Sequence, residues 1–246
     1  MIRTGVVLPT FRPTPDEALD VAARAWAAGV DGVFCYDHIW PIGQPERPAL
    51  APFPVLAALA TRLPPAADTG GPFLGTLVAR VGLAPNGVLL RQFQALAQLA
   101  PGRVIAGLGT GDSLSEAENL AYGIPFTPAA ERRQEMVELA RALLAEGVPV
   151  WLAGGGAART AESRAAGAVL NVWDADPSLV AARREGPDAV EVTWAGPPPK
   201  SEAALEQTVA GVARAGATWA VFGWPVDLDG LARAARAAAI APVGDA

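Results

Sequence analysis

Eight times along this chain a short apolar run gives way to a longer stretch rich in Ala, Leu and Arg. The runs fall at 4–8, 32–36, 73–78, 103–108, 150–152, 168–172, 189–193 and 219–222. The helical stretches follow at 14–29, 55–63, 88–100, 128–146, 157–166, 177–184, 202–215 and 228–239. Runs that are apolar without alternation suit strands covered on both faces, as in a parallel sheet. Eight strand–helix units within 246 residues predict an α/β fold, a closed (β/α)8 TIM barrel forming one domain over 1–246. A doubly wound open sheet is the alternative. It calls for a glycine-rich first turn, whereas the first run here ends in Pro9-Thr10-Phe11-Arg12-Pro13, which cannot wrap a pyrophosphate in backbone N–H groups. The first helix is expected to open with Thr14 as N-cap, Pro15 in the first turn and Glu17 closing a capping box. Leu19, Ala22, Ala23, Trp26 and Val30 then mark its buried face, and Gly29 ends it.

Composition narrows the function. Hydrophobic residues make up 51% of the chain and charged ones 18%, which excludes a disordered protein. A single cysteine, Cys35, excludes a disulfide scaffold and points to a reducing compartment. His38 is the only histidine, so a two-histidine metal site cannot form within one chain, and no metal is expected. The net charge of −6 argues against a nucleic-acid partner. Arg, Pro or Gly interrupts every apolar run before the roughly 20 residues needed to span a bilayer. Strand-like residues begin almost at once, so no secretory leader is expected and the protein is placed in the cytoplasm.

In such a barrel the active site lies on the loops that follow the strands. Trp40, Trp173, Trp194 and Trp224 fall just after strands two, six, seven and eight. Together they either line an apolar mouth suited to a flat ring or pack the rim. The longest loops are 37–54 and 109–127. The first of these carries five prolines, which would stiffen a lid, and opens with Asp37-His38-Ile39-Trp40. His38 is read as either a proton-transfer group or a structural brace; its imidazole is the side chain suited to exchange protons near neutrality. Strand four runs into Gly107-Leu108-Gly109-Thr110-Gly111-Asp112, whose spacing is not a dinucleotide fingerprint. Asp112 there is either a helix cap or a carboxylate at the mouth. After strand five, Gly154-Gly155-Gly156 leads into a helix carrying Arg159 and Thr160 in its first turn. This is either a plain glycine turn or a phosphate site built from helix N-terminal amides.

These residues together resemble the luciferase-like superfamily of flavin- and deazaflavin-dependent barrels. The matching features are Asp37-His38-Ile39-Trp40, Leu74-Gly75-Thr76-Leu77 and the stretch from Pro101-Gly102-Arg103 through Gly109-Thr110-Gly111-Asp112. Tyr122-Gly123-Ile124-Pro125, Glu131-Arg132-Arg133 and Gly154-Gly155…Arg159-Thr160 continue the match, in order, to about residue 170. Within that superfamily the chain is most similar to oxidoreductases that use coenzyme F420. The resemblance implies that His38 transfers a proton, with Asp37 and Trp40 beside the deazaflavin ring and Asp112 the assisting carboxylate. It implies a bulge or non-prolyl cis peptide at Thr76–Leu77 backing that ring, near Gly109, Thr110 and Gly111. Gly154, Gly155, Gly156, Arg159 and Thr160 would hold the cofactor phosphate. Two departures bear on the substrate: Asp112 stands where the sugar-phosphate enzymes carry Glu, and Lys200 is the only lysine.

The expected function is hydride transfer between F420 and a small organic substrate. An FMN-dependent monooxygenase and a catalytically inert ligand-binding barrel are the alternatives. A homodimer, without nucleic-acid or membrane partners, completes the expectation.

Overall fold

A computed structural model describes residues 2–63 and 70–240. Its eight strands are β1 (Arg3–Val7), β2 (Gly32–Cys35), β3 (Phe73–Arg80), β4 (Val104–Gly109), β5 (Val150–Ala153), β6 (Val169–Trp173), β7 (Val192–Gly196) and β8 (Trp219–Gly223). All pair in parallel with their sequence neighbours, and β8 closes on β1 through pairs such as Arg3 with Trp219. The fold is the closed (β/α)8 barrel. The helices are α1 (Asp16–Ala28), α2 (Pro52–Arg62), α3 (Asn86–Leu99), α4 (Glu116–Ala121), α5 (Ala129–Ala145), α6 (Ala157–Ala166), α7 (Pro177–Arg184), α8 (Glu202–Arg214) and α9 (Leu228–Ile240).

Two cores hold the barrel. The larger lies between strands and helices, with Leu74, Leu108, Leu152 and Trp194 among its buried strand residues. The smaller fills the barrel itself, where Phe34, Trp151 and Trp219 meet with ring centroids 5.2–5.9 Å apart. Three large rings fit because small residues face them. A Cβ on Gly5 or Gly75 would stand 2.7 or 2.8 Å from the Phe34 ring. Layers of side chains of this kind make the barrel a packed core rather than a pore.

Three local expectations are corrected. Thr14 is not the cap of α1: Pro15 occupies that position without a side-chain cap bond. Glu17 closes no capping box, because its carboxylate pairs with Arg12 and accepts from the Trp224 indole. The seventh strand begins at Val192 rather than at 189, because Gly186 turns the chain at φ 80° and the Val190 N–H donates to the Arg183 carbonyl. The loop at 109–127 carries a short 3₁₀ turn, Ser113–Ser115, and then α4, neither of which the apolar pattern signalled. Among the described residues no helix is long and apolar enough to cross a membrane.

Candidate active site

At the C-terminal ends of the strands a cavity of about 500 Å³ opens between β1, β2, β6, β7 and β8. Its walls include Pro9, Phe11, Tyr36, Trp173, Pro198 and Trp224. Phe11 stacks on Tyr36 at 5.7 Å, and Tyr36 leans on Trp173 at 6.4 Å. Burial pushes the Tyr36 hydroxyl up to about 12, so it remains a neutral donor at ordinary pH. Both arginines on the wall are engaged: Arg12 pairs with Glu17, and Arg47 donates to Gln44.

Of the four candidate tryptophans, two line this cavity. Trp173 is 49% exposed at its rim, and Trp224 forms part of its wall, with its ring under Arg24 on the far side. Trp194 faces the helix layer, where its indole donates to the Ala175 carbonyl. Alternation along β7 explains the miss, because neighbouring residues point to opposite faces and Ala195 is the one facing inward. Trp40 is buried in the lid against Tyr122, 6.0 Å away.

Beside the cavity a charged cluster ties three strand ends together. His38 stands 6.2 Å from the Phe11 ring and 6.4 Å from Tyr36. Its Nδ1 lies 2.8 Å from Oε1 of Glu118, whose side chain is 1% exposed. The other oxygen of Glu118 accepts the Ile39 N–H at 2.8 Å. Arg80, at the end of β3, reaches to 3.5 Å from the same carboxylate and donates to the Ser115 carbonyl. Among the described residues its buried Nε and Nη2 find no hydrogen-bond partner. Burial lowers the Arg80 pKa, while Glu118, Asp37 and Asp112 pull it back up. Asp37 accepts the Arg80 backbone N–H at 2.9 Å; burial holds its carboxyl above the usual carboxylate range, against the opposing pull of that bond.

Sequence reasoning missed Glu118 and Arg80. Asp112, which it did single out, takes up the capping role. Its Oδ1 accepts the N–H groups of Leu114 and Ser115 at 2.9 and 3.2 Å, while Ser115 Oγ accepts the Asp112 N–H. That cap starts the turn leading into α4, which buries Glu118.

The glycines of Gly107-Leu108-Gly109-Thr110-Gly111 answer to packing. A Cβ at Gly107 would collide with the Thr76 carbonyl, and one at Gly109 with the Val78 side chain. Gly111 has φ +65°, the left-handed region that favours glycine. The Thr110 carbonyl accepts from Arg132 on α5 at 2.8 Å, which pins the turn. On β3 the Thr76 hydroxyl donates to the Gly107 carbonyl at 2.8 Å, and Leu77 points into the barrel core. The register of β3 against β4 shifts between Thr76 and Ala79. The non-prolyl cis peptide is Leu77–Val78, one bond beyond the expected Thr76–Leu77.

At the end of β5, Gly154 holds φ +135°. Gly155 lies outside that region: its carbonyl accepts from Arg183, and a Cβ there would meet Leu179 at 3.1 Å. Gly156 faces open space and precedes α6, whose first turn has no side-chain cap. Thr160 bonds back to the Gly156 carbonyl at 3.2 Å, and Arg159 pairs with Glu162 at 2.7 Å. Uncapped amides beside an open glycine suit an anion such as a cofactor phosphate.

The fold and site together define a closed parallel barrel with an aromatic mouth, a glycine turn leading into an uncapped helix and a carboxylate-held histidine. The family model described as luciferase-like monooxygenase matches residues 2–239, and the chain belongs to that family. An F420-dependent glucose-6-phosphate dehydrogenase of Beutenbergia cavernae is 35% identical over 149 residues, which is 59% of this chain and 42% of that relative. The counterpart from Nakamurella multipartita is 32% identical over 56% of this chain and 38% of its own length. The chain thus spans about two-fifths of the curated relatives it matches. Among solved structures, an F420-dependent secondary alcohol dehydrogenase in complex with an F420-acetone adduct superposes with a TM-score of 0.74. Identity is 16%, over 96% of this chain and 99% of that one, so the likeness is one of fold.

Proposed function

We propose that this protein is an F420-dependent oxidoreductase acting on a small organic substrate. The observation that carries this reading is His38, held by a buried carboxylate against the aromatic wall of the mouth. The names of the sequence relatives support the choice of cofactor. The residues present fit it: the cavity has the aromatic walls that suit a flat ring, and Gly154, Gly155, Gly156 and the uncapped first turn of α6, with Arg159 and Thr160, would hold its phosphate. Bound there, the deazaflavin supplies the hydride chemistry, and the chain supplies orientation, a dry wall and a proton. In this reading Asp37 and Trp40 would brace the loop that follows β2, and Thr76, Leu77, Gly109, Thr110 and Gly111 would set the packed turn between β3 and β4 behind the ring. Asp112 keeps α4 in position. His38 gives up or takes the proton that accompanies hydride gain or loss at the substrate.

The aromatic and proline walls favour a substrate with an apolar body. Lys200 lines a separate hollow with Pro199 and Ser201, so no lysine reaches the mouth cavity. The reading also places the enzyme in the cytoplasm, in keeping with its single buried thiol at Cys35. It pairs two copies into a homodimer, for which Leu114, Leu120 and Tyr122, each exposed on the connection between β4 and α5, offer apolar contacts.

Titration of the protein with F420 and with FMN, followed by tryptophan fluorescence, tests the proposal. F420 is expected to bind in the micromolar range and FMN about tenfold or more weakly, a gap of about 1.4 kcal/mol. Equal or tighter binding of FMN would overturn it in favour of a flavin monooxygenase.

A further inference from the structure

We propose that Glu118 is a positioning residue that fixes which nitrogen of His38 exchanges the proton: it holds Nδ1 as the N–H donor and leaves Nε2 as the reactive atom. The inference rests on His38 being the proton carrier. Its grounds are the hydrogen bonds around one carboxylate. An ionised carboxylate accepts and never donates. Oε2 of Glu118 is taken by the Ile39 N–H at 2.8 Å, and Oε1 faces Nδ1 at 2.8 Å and the Arg80 guanidinium at 3.5 Å. Both oxygens face donors, an amide N–H at Oε2 and a guanidinium at Oε1, so the carboxylate meets the ring as an acceptor and Nδ1 presents N–H to it. The hydrogen bond at one ring nitrogen dictates the state of the other. When His38 is neutral, the lone pair is therefore on Nε2.

Among the described residues the hydrogen bond of Nδ1 is the one to Glu118. Asp37 directs Oδ2 to the Arg80 backbone N–H, the buried Tyr36 hydroxyl stays protonated, and Asp112 is used in the cap ahead of α4. Glu118 also grips residues 38 and 39 at once, one through its ring and one through its amide. It thereby ties the lid that begins at β2 to helix α4 in the fourth loop, about 80 residues away.

Glu118→Gln separates this role from bulk packing. A glutamine offers one acceptor oxygen and one NH₂ group. Its oxygen must stay on the Ile39 N–H, because turning the NH₂ there would set two donors face to face. The NH₂ then faces His38 and requires a bare Nδ1, so the tautomer inverts. Because His38 is the only histidine in the chain, nitrogen-15 NMR of its imidazole reads this without overlap and without cofactor.

In the wild-type protein, above the pH at which the ring loses its charge, Nδ1 is expected to carry the proton. In Glu118→Gln the proton is expected on Nε2, with F420 affinity within about twofold of wild type and kcat down about tenfold or more. A wild-type ring protonated on Nε2 would overturn the proposal even if the variant did not fold. So would a folded Glu118→Gln that kept the wild-type tautomer or kcat. If F420 fails to bind at all, the reading of function falls, and the tautomer measurement still decides the role of Glu118.

Discussion

Replacing Gly75 with alanine puts a methyl group where the barrel has no room. The new Cβ would stand 2.8 Å from the Ile105 carbonyl and 2.8 Å from two atoms of the Phe34 ring. Relieving both contacts requires movement of about 0.7 Å, because carbon contacts settle near 3.5 Å. The carbonyl belongs to β4 and is fixed by the ladder. The ring cannot retreat either, since Trp151 stacks on it at 5.2 Å, Trp219 meets it edge-on at 5.9 Å, and Gly5 closes its other edge. Overpacking of a tight core costs about 1–3 kcal/mol, and two immovable obstacles place this case at the upper end, about 2–3 kcal/mol. For a chain of this size that lowers Tm by about 4–12 °C.

Thermal and urea melts measure the loss, and a double-mutant cycle tests its cause. Phe34→Leu alone opens a cavity and costs about 1–3 kcal/mol. Combined with Gly75→Ala, it removes the ring from the path of the new methyl, so the pair should cost at least about 1 kcal/mol less than the sum. Strictly additive losses, or a Gly75→Ala protein as stable as wild type, would refute the size-matching account of the interior. Gly87→Ala is the control of opposite sign. It lies in the first turn of α3 with nothing within 4 Å of its Cβ and should stabilise by about 0.5 kcal/mol.

Four further outcomes are expected. His38→Asn can still donate an amide N–H to Glu118, so it should melt within about 1 kcal/mol of wild type while hydride transfer falls roughly 10²- to 10⁴-fold in single-turnover assays. Chemistry within about threefold of wild type would end the proton-transfer role. Gly154→Val forces a β-branched residue to φ +135° and should weaken F420 binding and cost about 1–3 kcal/mol, whereas Gly155→Val meets only the flexible Leu179 side chain and should cost less; the reverse order would move the phosphate site elsewhere. Trp173→Phe should remove much of the fluorescence quenching by F420 and Trp194→Phe little of it, since only the first lines the mouth; equal effects would contradict that placement. Burial raises the folded-state pKa of Asp37, so the stability its protonated form brings is present in acid and lost as pH rises through that raised value. Asp37→Asn keeps an acceptor for the Arg80 N–H, so relative to wild type its stability should improve from acid toward neutral pH; melts in which it instead worsens would show that the ionised form is favoured by the fold.

The barrel was legible because strand burial on two faces and helix periodicity are local patterns, repeated eight times with little interruption. The faces of individual residues were less so. Trp194 follows the same spacing as Trp173 and Trp224, yet a period of two turns it outward, and the apolar pattern starts three residues before the seventh strand does. Capping competes in the same way, as Glu17 shows: the motif Thr14-Pro15-Asp16-Glu17 is sound locally, but Arg12 and the distant Trp224 claim the carboxylate.

The site divides along the same line between local and distant contacts. The glycines at 107, 109 and 111 announced a close approach, but only the fold says that the approaching group is β3 backbone and side chain rather than ligand for the first two. Glu118 was hidden because its partners, His38 and Ile39, lie about 80 residues away and no spacing rule links them. One signal was available. The test that picked out Asp112, a carboxylate on a long loop at the functional face, applies equally to Glu116 and Glu118. Burial then separates the three: Asp112 and Glu116 face solvent, and Glu118 alone is enclosed. A carboxylate enclosed at an active-site mouth must have its lone pairs satisfied, and the groups that satisfy it are thereby fixed in place. Where a lone histidine is one of those groups, the buried acid sets its orientation, which is why the residue that reads least like a catalyst in the sequence governs the one that reads most like it.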